Sequence, residues 1–188
     1  MKPALVLIDL QNDYFPGGRM ELVGIEAAAL QAHKLLLAFR KSGLPIFHLQ
    51  HVALGPEATF FRPDTPGVEI HATLQPFPAE PLVQKHFPNS FRETDLLEAL
   101  QRAGIKDLVI SGAMSHMCID ATTRAAFDYG FRCRVIHDAC ATRGLIFEGL
   151  EVRAAQVHAA FMAALQGRYA QVLSLEQFLA ASAPGLLA

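Results

Sequence analysis

Short apolar runs alternate with longer segments of helical period along most of the chain. Leu5, Val6, Leu7 and Ile8 are apolar without a break, the pattern of a strand covered on both faces, and predict β-structure over 5–8. From 25 to 41, Leu30, Leu35, Leu36 and Phe39 recur on one side and Ser42-Gly43 follow as a stop, so a helix is predicted there. The same reading gives strands over 45–49, 81–84, 107–111, 132–136 and 170–173. Helices fall over 94–103, 119–129, 151–165 and 175–181, with Gly104 and Gly130 as stops and Ser174 as the cap of the last. Strand–helix alternation implies right-handed crossovers and a parallel sheet with helices on both faces. One stretch breaks the rhythm. Residues 55–81 hold most of the prolines and are too long for an ordinary connection, which predicts a functional excursion near the site.

Composition narrows the class. The 188 residues suit one domain over 1–188, and 52% are hydrophobic against 18% charged, ample for a buried core. A net charge of −2 with scattered Lys and Arg argues against nucleic-acid or membrane-surface partners. The apolar run near the start is cut off by Asp9, too early for a signal peptide or a spanning helix. Three cysteines, Cys118, Cys133 and Cys140, form neither a paired framework nor a CxxC pattern, so a reducing cytoplasm is expected.

Open parallel sheets bind ligands beyond the carboxyl ends of their strands. Asp9 follows the first predicted strand, Lys85 the third, and Cys118 opens the helix after the fourth, so the fold brings three distant reactive groups to one rim. A helix N-terminus and a nearby ammonium both favour thiolate, which predicts a Cys118 thiol titrating below the free-cysteine value of about 8.5. Asp9 then suits a general base. Taken singly, Asp9 could be a polar strand end and Lys85 a solvated loop lysine; the combination gives them weight. Cys133, inside an apolar strand, reads as buried and inert, whereas Cys140 stays open between core and rim.

The segments around these residues resemble the isochorismatase-like cysteine hydrolases. Leu7-Ile8-Asp9-Leu10-Gln11-Asn12-Asp13-Tyr14-Phe15 is similar to their opening, and Val83-Gln84-Lys85-His86-Phe87-Pro88-Asn89-Ser90-Phe91 to their lysine segment. Ser111-Gly112-Ala113-Met114-Ser115-His116-Met117-Cys118-Ile119-Asp120-Ala121-Thr122 is similar to their nucleophile turn, and Asp138-Ala139-Cys140-Ala141-Thr142 to the segment after their fifth strand. The resemblance implies a Rossmann-like three-layer α/β/α domain with a six-stranded parallel sheet and an Asp9–Lys85–Cys118 triad. It further implies a cis peptide at Ala113–Met114 that aims the Met114 N–H, alongside that of Cys118, into an oxyanion hole. Such proteins hydrolyse amides, ureides and related C–N bonds, nicotinamide among them. The name-giving members instead cleave a vinyl ether and lack the cysteine, so Cys118 points to the thiol branch. A small amide or ureide is therefore the expected substrate, with no cofactor, and Gln11, Phe15, Phe61, Phe91 and His116 are candidates to line its pocket.

Nicotinamidases of this kind carry an Asp-x-His segment with a further His that binds a metal. Here the region reads Phe47-His48-Leu49-Gln50-His51-Val52-Ala53, without the aspartate, and Asp64 and His71 do not restore the arrangement. His48 and His51 at i, i+3 face opposite sides of a strand, so no metal is expected. A metal-dependent nicotinamidase using His48, His51 or His71, a non-catalytic assembly or binding domain, and a redox sensor pairing Cys118 with Cys140 stand as alternatives. The resemblance and the alanine-rich 151–165 segment predict a homo-oligomer, dimer or tetramer, with Phe60-Phe61-Arg62-Pro63 reaching a neighbour's pocket.

Overall fold

The computed structural model describes residues 2–181, so the one-domain reading of 1–188 runs past it at both ends. In chain order the regular elements are β1 (Ala4–Ile8), α1 (Ile25–Lys41), β2 (Ile46–His51), β3 (Leu82–Lys85), α2 (Leu96–Arg102), β4 (Asp107–Ala113), α3 (Asp120–Asp128) and β5 (Arg132–Ala141). There follow β6 (Leu145–Phe147), β7 (Leu150–Val152), α4 (Ala154–Leu165), β8 (Gln171–Leu173) and α5 (Leu175–Ala181). Six strands form one sheet in the order β3-β2-β1-β4-β5-β8, every pair parallel. Strand order reverses between β1 and β4, and that switch point opens the crevice beyond the strand ends where ligands bind in such sheets.

The side-chain period of 2 along β1 builds both cores at once. Leu5 and Leu7 face α1 and α5 with Leu35, Leu36, Phe39 and Phe178, while Ala4, Val6 and Ile8 face α2, α3 and α4 with Leu96, Leu100, Ala126 and Met162. Burying each leucine or phenylalanine contributes roughly 1.5–3 kcal/mol of transfer free energy, which fixes the helices on their faces. At the centre, Ile8 pairs with Gly112, whose φ is +130°. A Cβ on Gly112 would stand 2.0 Å from the Ile8 carbonyl oxygen, so only glycine lets the ends of β1 and β4 approach this closely. Ser174 caps α5 as expected: its Oγ accepts from Gln177 N at 3.1 Å and its N–H donates to Gln177 Oε1 at 2.9 Å.

Three local expectations need correction, and the long excursion gains detail. Leu30 is 55% exposed, and the inner side of α1 is completed by Ile25 and small residues, Ala28, Ala29 and Ala32. The fifth strand runs on to Ala141 across a register shift opposite Ile110–Gly112, so Asp138–Ala141 lies within it. The residues expected to open a helix at 151 close an antiparallel hairpin, β6–β7, and α4 starts at Ala154. Residues 55–81 are ordered around two short 3₁₀ turns, Pro66–Val68 and Ala72–Leu74.

That excursion is fastened to the segment just after β1. Gln11 Nε2 donates to the Val68 carbonyl, Asn12 Nδ2 to that of Pro66, and Asn12 N to that of Glu69 at 2.9 Å. Asp13 Oδ2 accepts from Phe61 N at 2.6 Å, and Gly67 presses so close to the Asp13 carboxylate that a Cβ there would collide with it.

Candidate active site

Asp9 is the first residue beyond β1. Its N–H still pairs with the Leu49 carbonyl at 3.0 Å, but its φ of +53° turns the chain out of the strand. Aspartate tolerates this left-handed region better than most residues, and the turn aims its carboxylate across the strand ends. Lys85 is the last residue of β3 rather than the one after it, in register with His51 at the end of β2. Cys118 lies in a wide turn of π geometry, Ser115–Ile119, that leads into α3; Met117 N and Ile119 N both donate to the Met114 carbonyl. The Ala113–Met114 peptide entering this turn is cis, as the resemblance implies.

These elements bring Asp9, Lys85 and Cys118 together. Lys85 Nζ is 2.8 Å from Asp9 Oδ2, 3.3 Å from Cys118 Sγ, 3.1 Å from His51 Nδ1 and 3.2 Å from the Phe87 carbonyl. Asp9 and Lys85 are fully buried and Cys118 nearly so. Burial opposes the Lys85 charge, but the Asp9 carboxylate and the hydrogen bonds to Asp9 and Cys118 outweigh it and raise its pKa, so the group is an ammonium. Asp9 Oδ1 is buried with no hydrogen-bond partner among the described residues, leaving a carboxylate oxygen free to accept a proton. His51 is driven down to about 4 by burial and then by Lys85, so it is neutral and its Nδ1 accepts from the ammonium.

The thiol reverses the sequence expectation. Burial first and the Asp9 charge second push the Cys118 pKa well up, and Lys85 only partly opposes them. Position at a turn before a helix therefore does not make a resting thiolate here; desolvation wins, and the sulfur keeps its proton beside a carboxylate. Cys133 and Cys140 are both buried and pushed up to about 12, mainly by burial. Cys140 thus belongs to the core, and the thiol pair wanted by a redox sensor finds no support.

The histidines do not converge. His48 Nε2 meets Glu80 Oε2 at 2.9 Å, beside the Arg40–Glu80 ion pair, and His71 stacks on Phe15 with centroids 3.7 Å apart. A different trio, Asp9, His51 and Cys118, has ligand atoms within 4.8 Å of one another. The Lys85 ammonium bonds to all three, so the charge a metal would bring is already present and the donor set does not fit one.

The pocket candidates are distributed unevenly. The Gln11 amide is wholly spent on the backbone: its Oε1 accepts from His51 N, and its Nε2 donates to the His51 and Val68 carbonyls. It holds the excursion and His51 rather than a ligand. Phe61 is buried in its own subunit, 4.6 Å from the Tyr14 ring and 5.9 Å from His51, so it does not reach into a neighbour. Phe15 lines a groove of about 420 Å³ with His33, His71 and Thr73, none of the triad among its walls. Phe91 packs against Tyr129 and Phe131 in the core under α2 and α3. His116, half-buried, is tied through Nδ1 to Thr142 Oγ1 at 2.6 Å.

Sequence reasoning missed two neighbours of the triad. His51 entered only as a metal candidate, although its place at a strand end was a usable signal. Tyr14 is buried with its ring 4.6 Å from that of Phe61, and burial first, then the Asp9 charge, raises its phenol pKa.

Comparison with known proteins fits this geometry. The model of the isochorismatase domain matches residues 3–177. The chain belongs to the isochorismatase family. An isochorismatase family protein of Bacillus subtilis (strain 168), YddQ, is 54% identical over 179 residues, 95% of this chain and 99% of the relative. A crystal structure assigned to the isochorismatase hydrolases from Oleispira antarctica superposes with a TM-score of 0.92 at 54% identity, covering 96% of this chain and 97% of that one. Streptothricin hydrolase of Streptomyces noursei is 36% identical over 140 residues, 74% of this chain but only 49% of the relative. The six-stranded parallel sheet with helices on both faces is the α/β fold of this hydrolase family. Among the described residues no helix is long and apolar enough to cross a membrane.

Proposed function

We propose that this isochorismatase-family hydrolase cleaves the C–N bond of a small amide or ureide through Cys118, with Asp9 as proton carrier and Lys85 as the fixed charge between them. The observation that carries the reading is the buried Lys85 ammonium held 2.8 Å from Asp9 and 3.3 Å from Cys118. A protonated thiol beside a free carboxylate oxygen calls for transfer in step with attack. Asp9 takes the thiol proton as sulfur bonds to the carbonyl carbon, and the π electrons move onto oxygen. The Met114 and Cys118 N–H groups are assigned as donors to that oxyanion, worth roughly 3–4 kcal/mol each. Collapse breaks the C–N bond while Asp9 returns the proton to the leaving nitrogen, giving an acyl-enzyme thioester. Water then attacks, Asp9 accepts its proton, and sulfur leaves and is reprotonated as the acid is released. Lys85 limits the charge that accumulates as Asp9 and sulfur exchange the proton.

A panel of small amides and ureides assayed for ammonia release tests this. Cys118→Ala and Cys118→Ser are expected to lose turnover while melting near the parent temperature. Turnover by Cys118→Ala within about tenfold of the parent would end the covalent mechanism. We also propose self-association as a dimer or tetramer. The outer side of α4 exposes Ala155, Ala159, Ala160, Ala163 and Ala164, and the β6–β7 hairpin beside it exposes Ile146, Phe147 and Leu150.

A further inference from the structure

We propose that His158, on α4, is a positioning residue for the nucleophile turn and acts through Ser115. The inference rests on the Cys118 reading above. Ser115 is the first residue of the turn, next to the cis peptide, and is fully buried. Its Oγ lies 3.3 Å from the Ala141 carbonyl oxygen and 2.9 Å from His158 Nδ1.

A hydroxyl has one proton, and a carbonyl oxygen can only accept. The Ser115 proton therefore goes to Ala141, and the second contact requires His158 to donate from Nδ1. This fixes the His158 tautomer as Nδ1–H and makes Ser115 Oγ the acceptor. Both partners lie outside the turn, one at the end of β5 and the other on α4. The adjacent His116 is tied in the same direction, to Thr142. The first two side chains of the turn are thus anchored from the last residue of β5 and the residue after it, and the first is also held from α4.

The anchorage matters because the turn is wide. Met117 N and Ile119 N share a single acceptor, the Met114 carbonyl, and the side-chain bonds of Ser115 add a hold on the turn from outside it. Reaction needs that sulfur in place against both Lys85 and the incoming carbonyl. A misplacement on the order of 1 Å costs about 10²-fold in rate. His158 touches no reacting group, and its effect is transmitted by the Ser115 bond.

The experiment uses p-nitrophenyl acetate as an acylating probe and follows the pre-steady-state release of p-nitrophenolate. Cys118→Ala is the control for the underlying reading: a burst that persists in that variant removes Cys118 as nucleophile, whatever His158 does. With that control silent, His158→Ala is expected to slow acylation at least tenfold with the half-saturating probe concentration unchanged. His158→Asn, whose amide N–H can replace Nδ1–H, is expected to return to within about threefold of the parent. Ser115→Ala should match His158→Ala, and the double variant should be no slower than either. Acylation by His158→Ala within twofold of the parent overturns the proposal. So does His158→Asn as slow as His158→Ala, because ring volume and not the donor would then be what matters. If His158→Ala does not fold, Ser115→Ala against His158→Asn decides: a parental rate in Ser115→Ala refutes the positioning role.

Discussion

Replacing Asp9 by asparagine should make the Cys118 thiol more reactive and the enzyme less active. The two effects share one cause. Asp9 is the second contributor, after burial, to the raised thiol pKa, and its carboxylate oxygen lies within 4.8 Å of the sulfur. At that distance and an effective dielectric of 20, removing the charge lowers the cost of thiolate by about 3.5 kcal/mol, or about 2.5 pH units. Each unit supplies ten times more thiolate but a less nucleophilic one, so alkylation below the pKa should quicken only about 20-fold in all. Turnover, deprived of its proton carrier, should fall by roughly 10²–10⁴. Iodoacetamide labelling of Cys118 followed by intact-mass spectrometry at neutral pH reads the first quantity, and ammonia release reads the second. Labelling of a folded Asp9→Asn variant at the parental rate or slower would refute the argument, since the Asp9 charge would not be what keeps the proton on sulfur.

Two further outcomes are expected. Burial works against the Glu80 carboxylate, but Arg40, the Phe77 N–H and His48 outweigh it and hold the group near about 2 against an ordinary 4.5, a difference worth about 3 kcal/mol. Because the folded pKa is depressed, this stability is fully present above about 4.5 and is lost as pH falls towards 2. Glu80→Gln should therefore cost up to about 3 kcal/mol at neutral pH and flatten that window; urea-denaturation curves that stay parallel to the parent's between pH 5 and pH 2 would count against it. Light scattering should find a mass above the 20.5 kDa of one chain, and Phe147→Glu, on the exposed hairpin, should shift it downward; a parent already at 20.5 kDa removes the self-association proposal.

The fold and the meeting of Asp9, Lys85 and Cys118 were legible in the sequence for separable reasons. Uninterrupted apolar runs such as 5–8 and 108–110 report burial on both faces, and positions at or beyond strand ends for Asp9, Lys85 and Cys118 follow once a parallel sheet is assumed. The hairpin was hidden because Glu151-Val152 continues smoothly into a helical pattern, and the turn at Gly149 carries little weight beside it. The outward direction of Leu30 was hidden because three alanines do the inner packing, and alanine contributes little to a hydrophobic stripe. The direction of the Cys118 pKa depended on desolvation, which a linear reading of neighbours cannot weigh. Ser115 and His158 are 43 residues apart, and nothing in either segment announces the other.

The short stretch from Asp9 to Asp13 supplies both the carboxylate paired with Lys85 and the fastenings of the excursion. A change in 9–13 therefore disturbs Asp9 and the excursion together, whereas the excursion's residues before Phe61 lie outside the clamp, Gly55 to Glu57 among them exposed. Diversification has an open place to act there. Loops of other lengths grafted between Leu54 and Phe60 would leave the holds on Phe61, Val68 and Glu69 in place. A library confined to that segment varies the excursion without touching Asp9, Lys85, Cys118 or the bonds that hold 61–69.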